Sequence, residues 1–160
     1  MLQWNEETII EANIETIWNL FALENIQRIM PQVVENEVIE RKEGVVGTKY
    51  RQKFKEGKRI ETYIVEDLEY ENTPHRKHNK SGFTLARIFE IETTFTLLKV
   101  DDKHTRFIYS GQNKGVNWLG KVMLKLMGFK NNQKVVFEFM ERVRSEAMKD
   151  QDNKRNEEIR

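Results

Sequence analysis

Residues 87–112 read RIFEIETTFTLLKVDDKHTRFIYSGQ, and residues 117–129, just beyond them, read NWLGKVMLKLMGF. In the first stretch Phe89, Ile91, Thr93, Phe95 and Leu97 recur at every second position, the period of a strand with one buried face. Asp101-Asp102-Lys103 marks a turn, and TRFIYSGQ resumes the alternation through Phe107 and Tyr109. In the second stretch the period of two is gone and the pattern is helical. A hairpin running straight into a long helical region, Gly115 to about Met148, sets the class of the fold. Gly128 and Asn131-Asn132 are expected to kink or interrupt that region.

Upstream, the same alternation repeats. VVENEVIER, GTKYRQKF, RIETYIVEDLEYE and the polar HRKHNKSGF each read as a strand, separated by Lys42-Glu43-Gly44, Glu56-Gly57 and Asn72-Thr73-Pro74. In GTKYRQKF the face of Thr48, Tyr50, Gln52 and Phe54 opposes Lys49, Arg51, Lys53 and Lys55. In the next strand Ile60, Thr62 and Ile64 are taken as the apolar-facing set, against Glu61, Tyr63 and Val65. Near the N-terminus, Leu2 to Glu11 reads as a strand and Asn13 as an N-cap. Ile14, Ile17, Trp18 and Phe21 then give one short amphipathic helix. Ile26, Ile29 and Met30 give a second, stopped at Pro31.

Runs of hairpin-linked strands beside segregated helices mean α+β. The expected architecture is an antiparallel, mostly meander sheet of about seven strands curved around a long C-terminal helix, with two short helices after the first strand. One domain is expected over 1–148. Residues 149–160 are so charged that fraying is expected.

The chain has 160 residues, 27 basic and 26 acidic, and a net charge of +1. That near-balance argues against a dedicated nucleic-acid binder. Cysteine is absent, so disulfides and thiolate zinc sites are excluded. The first ten residues lack the basic start and apolar run of a signal peptide, and a cytoplasmic location is expected.

The order of elements and several local patterns resemble the START-like or SRPBCC superfamily, also called helix-grip, which includes polyketide cyclase-like proteins, lipid-transfer domains and relatives of the birch pollen allergen. IEANIETIWNLFALENIQRIMP carries the opening through Ala12, Ile17, Trp18, Phe21 and Pro31. EGVVGTKYRQKF resembles the glycine-bracketed entry to the third strand through Gly44, Gly47 and Thr48. DDKHTRFIYS resembles a later strand through Thr105 and Phe107, and FEFMERVRSEA resembles the closing helix. The likeness spans residues 1–148. One departure is the loop SGQNKGVNWLG, which carries no catalytic signature. The resemblance implies a sheet wrapped around the long helix with a ligand cavity between them.

At about 100° per residue, the apolar residues of 118–129 cover an arc of roughly 240°, against the roughly 100° that an ordinary surface helix needs. The surplus implies a second contact: more core, a cavity wall, a partner or a membrane surface. Trp118, Val122, Met123, Leu126 and Met127 are the helical candidates for a cavity wall. From the strands come Ile64, Phe89, Ile91, Phe95 and Phe107. Tyr50, Gln52, Thr62, Thr93 and Tyr109 add hydroxyl or amide groups to otherwise apolar faces, which is how an apolar pocket orients a ligand.

Metal binding is not expected. His75 and His78 are three apart on a strand and point to opposite faces. No acid is marked as a general acid or base, and no phosphate loop or nucleophile elbow is present. The expected function is therefore non-catalytic binding or transport of a small hydrophobic molecule, lipid, quinone-like or polyketide-like, with no cofactor. Peripheral membrane contact is a further option. The alternatives are a cyclase or dehydratase on the same scaffold, which needs an acid or base facing the cavity, and a protein-interaction module using the apolar helix face.

Overall fold

The computed structural model describes residues 1–85, 87–127 and 129–159; the side chains at 125–127, 129 and 130 lie outside the description. Seven strands form one antiparallel sheet: β1 (Leu2–Ile10), β2 (Val33–Glu40), β3 (Lys49–Glu56), β4 (Arg59–Asn72), β5 (Arg76–Leu85), β6 (Phe89–Asp101) and β7 (His104–Gly115). Their order is β1-β7-β6-β5-β4-β3-β2, so β2 to β7 form a meander and β1 adds beside β7. Helices α1 (Ile14–Trp18) and α2 (Ile26–Ile29) follow β1, and α3 (Trp118–Met127) and α4 (Phe129–Ile159) close the chain.

The core sits at one end of the inner face. Ile10, Ile14, Ile17, Leu20 and Ile29 meet Leu97 and Phe107 from the sheet and Val136, Met140 and Val143 from α4. Asn13 caps α1 through its side chain, which accepts from the Glu15 N–H at 2.9 Å. The α4 stripe of Val136, Phe139, Met140, Val143 and Ala147 has the spacing of one buried helix face.

Two expectations about α4 change. It runs through Asn131 and Asn132 without a break. Beyond Met148, where fraying was expected, it continues as helix to Ile159. The reason is tertiary. Gln151 Oε1 accepts from the Asn13 N–H at 2.9 Å, and Lys154 Nζ donates to the buried Thr16 hydroxyl at 2.9 Å. Arg28 on α2 donates to both carboxylate oxygens of Asp150, at 2.8 and 3.0 Å, and to Glu146 at 2.8 Å. Polar residues thus clamp the last turns onto α1 and α2 without apolar burial.

One strand parity is also reversed. The β3–β4 hairpin turns at Gly57 and Lys58, with Glu56 opposite Arg59 and Gly57 at φ +59°. This register pairs Gln52 with Tyr63 and Tyr50 with Val65. Directly paired residues share a face, so Tyr63, Val65 and Asp67 point inward with Tyr50, Gln52 and Phe54. Thr62 and Ile64 point outward beside Lys53 and Arg51, and both are exposed.

Candidate functional site

The inner face divides into two halves. At the α1–α2 end it is filled: Phe95 stacks on Tyr109 at 5.2 Å, and both rings contact Phe139, at 5.7 and 4.8 Å. Phe21 closes on Phe95 at 4.9 Å, and Phe107 is fully buried. Phe95, Phe107 and Tyr109, read as cavity-wall candidates, are therefore part of the packed aromatic core. Burial pushes the Tyr109 phenol up, so it stays protonated.

Away from that plug the face is less covered. Tyr50, Gln52, Phe54, Phe83, Ile91 and Thr93 are half-buried on the inner side, around the buried Tyr63 and Phe89. Tyr63 stacks on Phe83 at 4.4 Å and 18°, and burial pushes its phenol up to about 12. Tyr50, Gln52, Phe89, Ile91 and Thr93 thus stand together on one surface, while Thr62 and Ile64 leave it.

Asp67 takes their place. It is 4% exposed and on the inner face, the one buried acid among the described residues. Tyr50 Oη donates to its Oδ2 at 2.8 Å and Asn79 Nδ2 to its Oδ1 at 3.0 Å. Its backbone is fixed too: the Gly47 N–H donates to the Asp67 carbonyl at 2.8 Å, and the Asp67 N–H to the Thr48 carbonyl at 2.9 Å. Gly47 adopts φ +91° to make this approach, which is why a glycine precedes Thr48. Burial, then the bond to Asp67, pushes the Tyr50 phenol well up, so it remains a donor. The signal that locates Asp67 is in the sequence. A two-residue hairpin loop pairs even positions of β3 with odd positions of β4, so inward Tyr50 and Gln52 require inward Val65 and Tyr63, and Asp67 follows.

Further polar atoms line the same half. Asn36 Oδ1 on β2, opposite Gln52, and Asn113 Oδ1 on β7, opposite Ile91, are buried without a protein partner among the described residues. Asn132 Nδ2, one turn before Val136 on the buried stripe of α4, is likewise unpaired. Buried amide atoms of this kind call for a bonding partner.

The outer face offers less chemistry. Lys53 pairs with Glu35 at 2.9 Å and Arg51 with Glu37 at 2.5 Å, so acids on β2 neutralise the basic row of β3. His78 contacts Thr96 and Glu69 at 2.8 and 2.9 Å, apart from His75. A hollow of about 420 Å³ on this side is edged by Lys80, Glu92, Thr94, Ser110 and Gln112, and another of about 230 Å³ lies between α1 and the end of α4. Polar and charged residues predominate in both linings.

Helix α3 stands at the end of the sheet where β6 begins and β7 ends. Its cap is Asn117, whose Oδ1 accepts from the Gly120 N–H at 2.9 Å. A Cβ on Gly120 would lie 2.4 Å from the Ile88 carbonyl oxygen, and one on Gly115 would lie 2.4 Å from the Lys121 nitrogen. The two glycines let α3 sit directly on backbone. Leu124 is buried, whereas the cavity-wall candidates Trp118, Val122 and Met123 are exposed. The side chains of Leu126 and Met127 lie outside the described residues.

No protein-family model matches the chain, and no curated protein sequence matches it. Solved structures do. Zhui aromatase/cyclase from a Streptomyces species superposes with a TM-score of 0.68 at 13% identity, covering 92% of this chain and 93% of that one. Norcoclaurine synthase from Thalictrum flavum, solved in complex with dopamine and hydroxybenzaldehyde, gives 0.63 at 13%, covering 92% and 87%. Ara h 8.0201 gives 0.62 at 13%, covering 92% and 98%. With the seven-strand meander, the two short helices after β1 and the long closing helix, these likenesses show that the chain has the helix-grip fold.

Proposed function

We propose that the chain binds a small, largely apolar molecule with at least one hydrogen-bonding group, seated on the inner face of β3 to β6 beside the Tyr50–Asp67–Asn79 cluster. The observation that carries this is the division of the inner face: one half is plugged by aromatic core, and the other is aromatic, half-buried and edged with hydroxyl and amide groups. The unpaired Asn36, Asn113 and Asn132 atoms supply further hydrogen-bonding capacity there. Covering about 200 Å² of apolar ligand surface would contribute about 5 kcal/mol. An aromatic ligand fits the stacked Tyr63–Phe83 pair, and a neighbour of the same fold holds dopamine and hydroxybenzaldehyde.

Asp67 favours a second reading, an enzyme of the cyclase or dehydratase type. A buried carboxylate held by a phenol and an amide on an apolar surface is placed to take or give a proton.

Native mass spectrometry with solvent extraction, on protein purified from its own cells, tests binding. An apolar molecule that co-purifies, and is lost from a folded Phe83→Glu variant, supports it. A clean apo mass under gentle conditions, with no thermal shift from small aromatic alcohols and amines, overturns it. With a ligand in hand, Asp67→Asn separates the readings: binding kept and turnover lost marks an enzyme.

A further inference from the structure

The apolar excess of α3 is not absorbed by the core. The helix rests on the sheet through Gly120 and Leu124, and the opposite side presents Trp118, Leu119, Val122 and Met123, which are 75%, 44%, 45% and 41% exposed. At 100° per residue these four lie within one arc of about 140°. Lys121 borders that arc and is exposed.

The charge around this face is one-sided. No aspartate or glutamate occurs between Asp102 and Glu138, while Lys114, Lys121, Lys125, Lys130 and Lys134 all fall within that span. The rest of the chain is acidic, with 20 basic against 26 acidic residues, and basic residues on the sheet have acidic neighbours, as Lys53 has Glu35. Lys114, Lys121 and Lys134 are exposed; Lys134 lies 3.8 Å from Glu138 and Lys114 stands opposite Glu90 on β6. An apolar helical face with Lys121 exposed beside it, in a stretch of sequence that is basic and free of acids, is complementary to one kind of surface: apolar beneath and anionic at the boundary.

We propose that α3 docks the protein peripherally on anionic lipid membranes. Trp118, Leu119, Val122 and Met123 enter the headgroup boundary, and Lys121 with the other exposed lysines of the segment contacts lipid phosphates and carboxylates. Three helical turns bury too little for permanent attachment, so docking is reversible and falls with salt. Gly120 and Gly115 matter here because they hold α3 flat against the sheet end and its apolar side outward. The proposal does not depend on the inner-face ligand site.

The test is co-sedimentation of the full chain with vesicles of phosphatidylcholine alone and mixed with phosphatidylserine, at low and physiological salt. Binding to the mixed vesicles is expected, with a blue shift of tryptophan emission, and weak or no binding to phosphatidylcholine. Each lysine near the surface contributes about fivefold to partitioning, so Lys121→Glu/Lys134→Glu should lose tenfold or more. Val122→Glu/Met123→Glu should abolish the blue shift. Both pairs are exposed, and an unchanged circular dichroism spectrum and melting temperature verify folding. Absence of binding to mixed vesicles at low salt overturns the proposal. So does a wild-type dimer, made monomeric by Trp118→Glu with vesicle binding unaltered, because the face would then cover a second copy. Failure of vesicle binding leaves a co-purified ligand in place, so the two readings fail separately.

Discussion

Replacing Tyr50 by phenylalanine deletes one oxygen and tests whether Asp67 is held in a dry site. In the native structure each oxygen of the Asp67 carboxyl has one side-chain donor, Tyr50 at 2.8 Å and Asn79 at 3.0 Å, and the residue is 4% exposed. In Tyr50→Phe, Oδ2 loses its donor and water has little access. A hydrogen bond to a charged group contributes about 1.5–3 kcal/mol, so a loss of about 2 kcal/mol is expected, roughly thirtyfold in the folding equilibrium. Urea unfolding followed by circular dichroism measures it, and an unchanged slope with denaturant verifies comparable end states. Adding Asp67→Asn completes a double-mutant cycle, in which a coupling of about 1 kcal/mol or more is expected. A loss below about 0.5 kcal/mol without coupling would mean that solvent replaces the phenol freely. The pair would then be no polar anchor for a ligand, and the reasoning that puts Asp67 at the site would be refuted.

Gly111→Ala should loosen β1 from the sheet. Its Cβ would lie 2.3 Å from Trp4 Cζ2 and 2.6 Å from the Glu92 carbonyl, and a loss of about 1–3 kcal/mol by calorimetry is expected, with an unchanged melting temperature counting against that packing. Glu146 supplies a pH signature. The hydrogen bond from Arg28 holds its carboxyl below the usual range, so its folded pKa lies under the unfolded one. The stabilisation it provides is present above about pH 4.3 and is lost as pH falls through the folded pKa. The stability gap between wild type and Arg28→Met should therefore shrink on acidification, and a pH-independent gap would refute the link. Truncation after Met148 should cost about 2 kcal/mol or more, because it removes the Asp150 and Gln151 partners of Arg28 and Asn13, and an unaltered denaturation midpoint would show that the last turns hold nothing.

The inner face of β6 and β7 was legible because Phe89 to Leu97 and Phe107 to Tyr109 alternate without ambiguity. The face of β4 was misread because Ile60, Thr62 and Ile64 looked more apolar than Glu61, Tyr63 and Val65. Hydrophobicity was the weaker guide there. The loop length dictates the register, and its parity demands the opposite face. Between β6 and β7 the same count is altered by a bulge between Lys99 and Asp101, which restores odd-to-odd pairing and lets the apolar pattern stand. Asp67 was hidden by the same error, since an acid assigned to water draws no attention.

By itself the sequence determined the class of fold, the order of its elements and the excess apolar surface of α3. These follow from local periodicity, turns and caps, which act over a few residues. Only the tertiary structure decided where that excess goes, because the side of α3 that meets the sheet depends on Gly115 and Gly120 fitting against Ile88, a contact across distant segments. It likewise decided that Phe95 and Tyr109 plug the core instead of lining a cavity, and that the charged end of α4 is helix. Both depend on partners brought near only by the folded chain: Phe21 and Trp4 for the aromatic plug, and Asn13, Thr16 and Arg28 for the end of α4. A charged segment with little to bury has no local reason to be ordered, and the Arg28 and Thr16 contacts supply one.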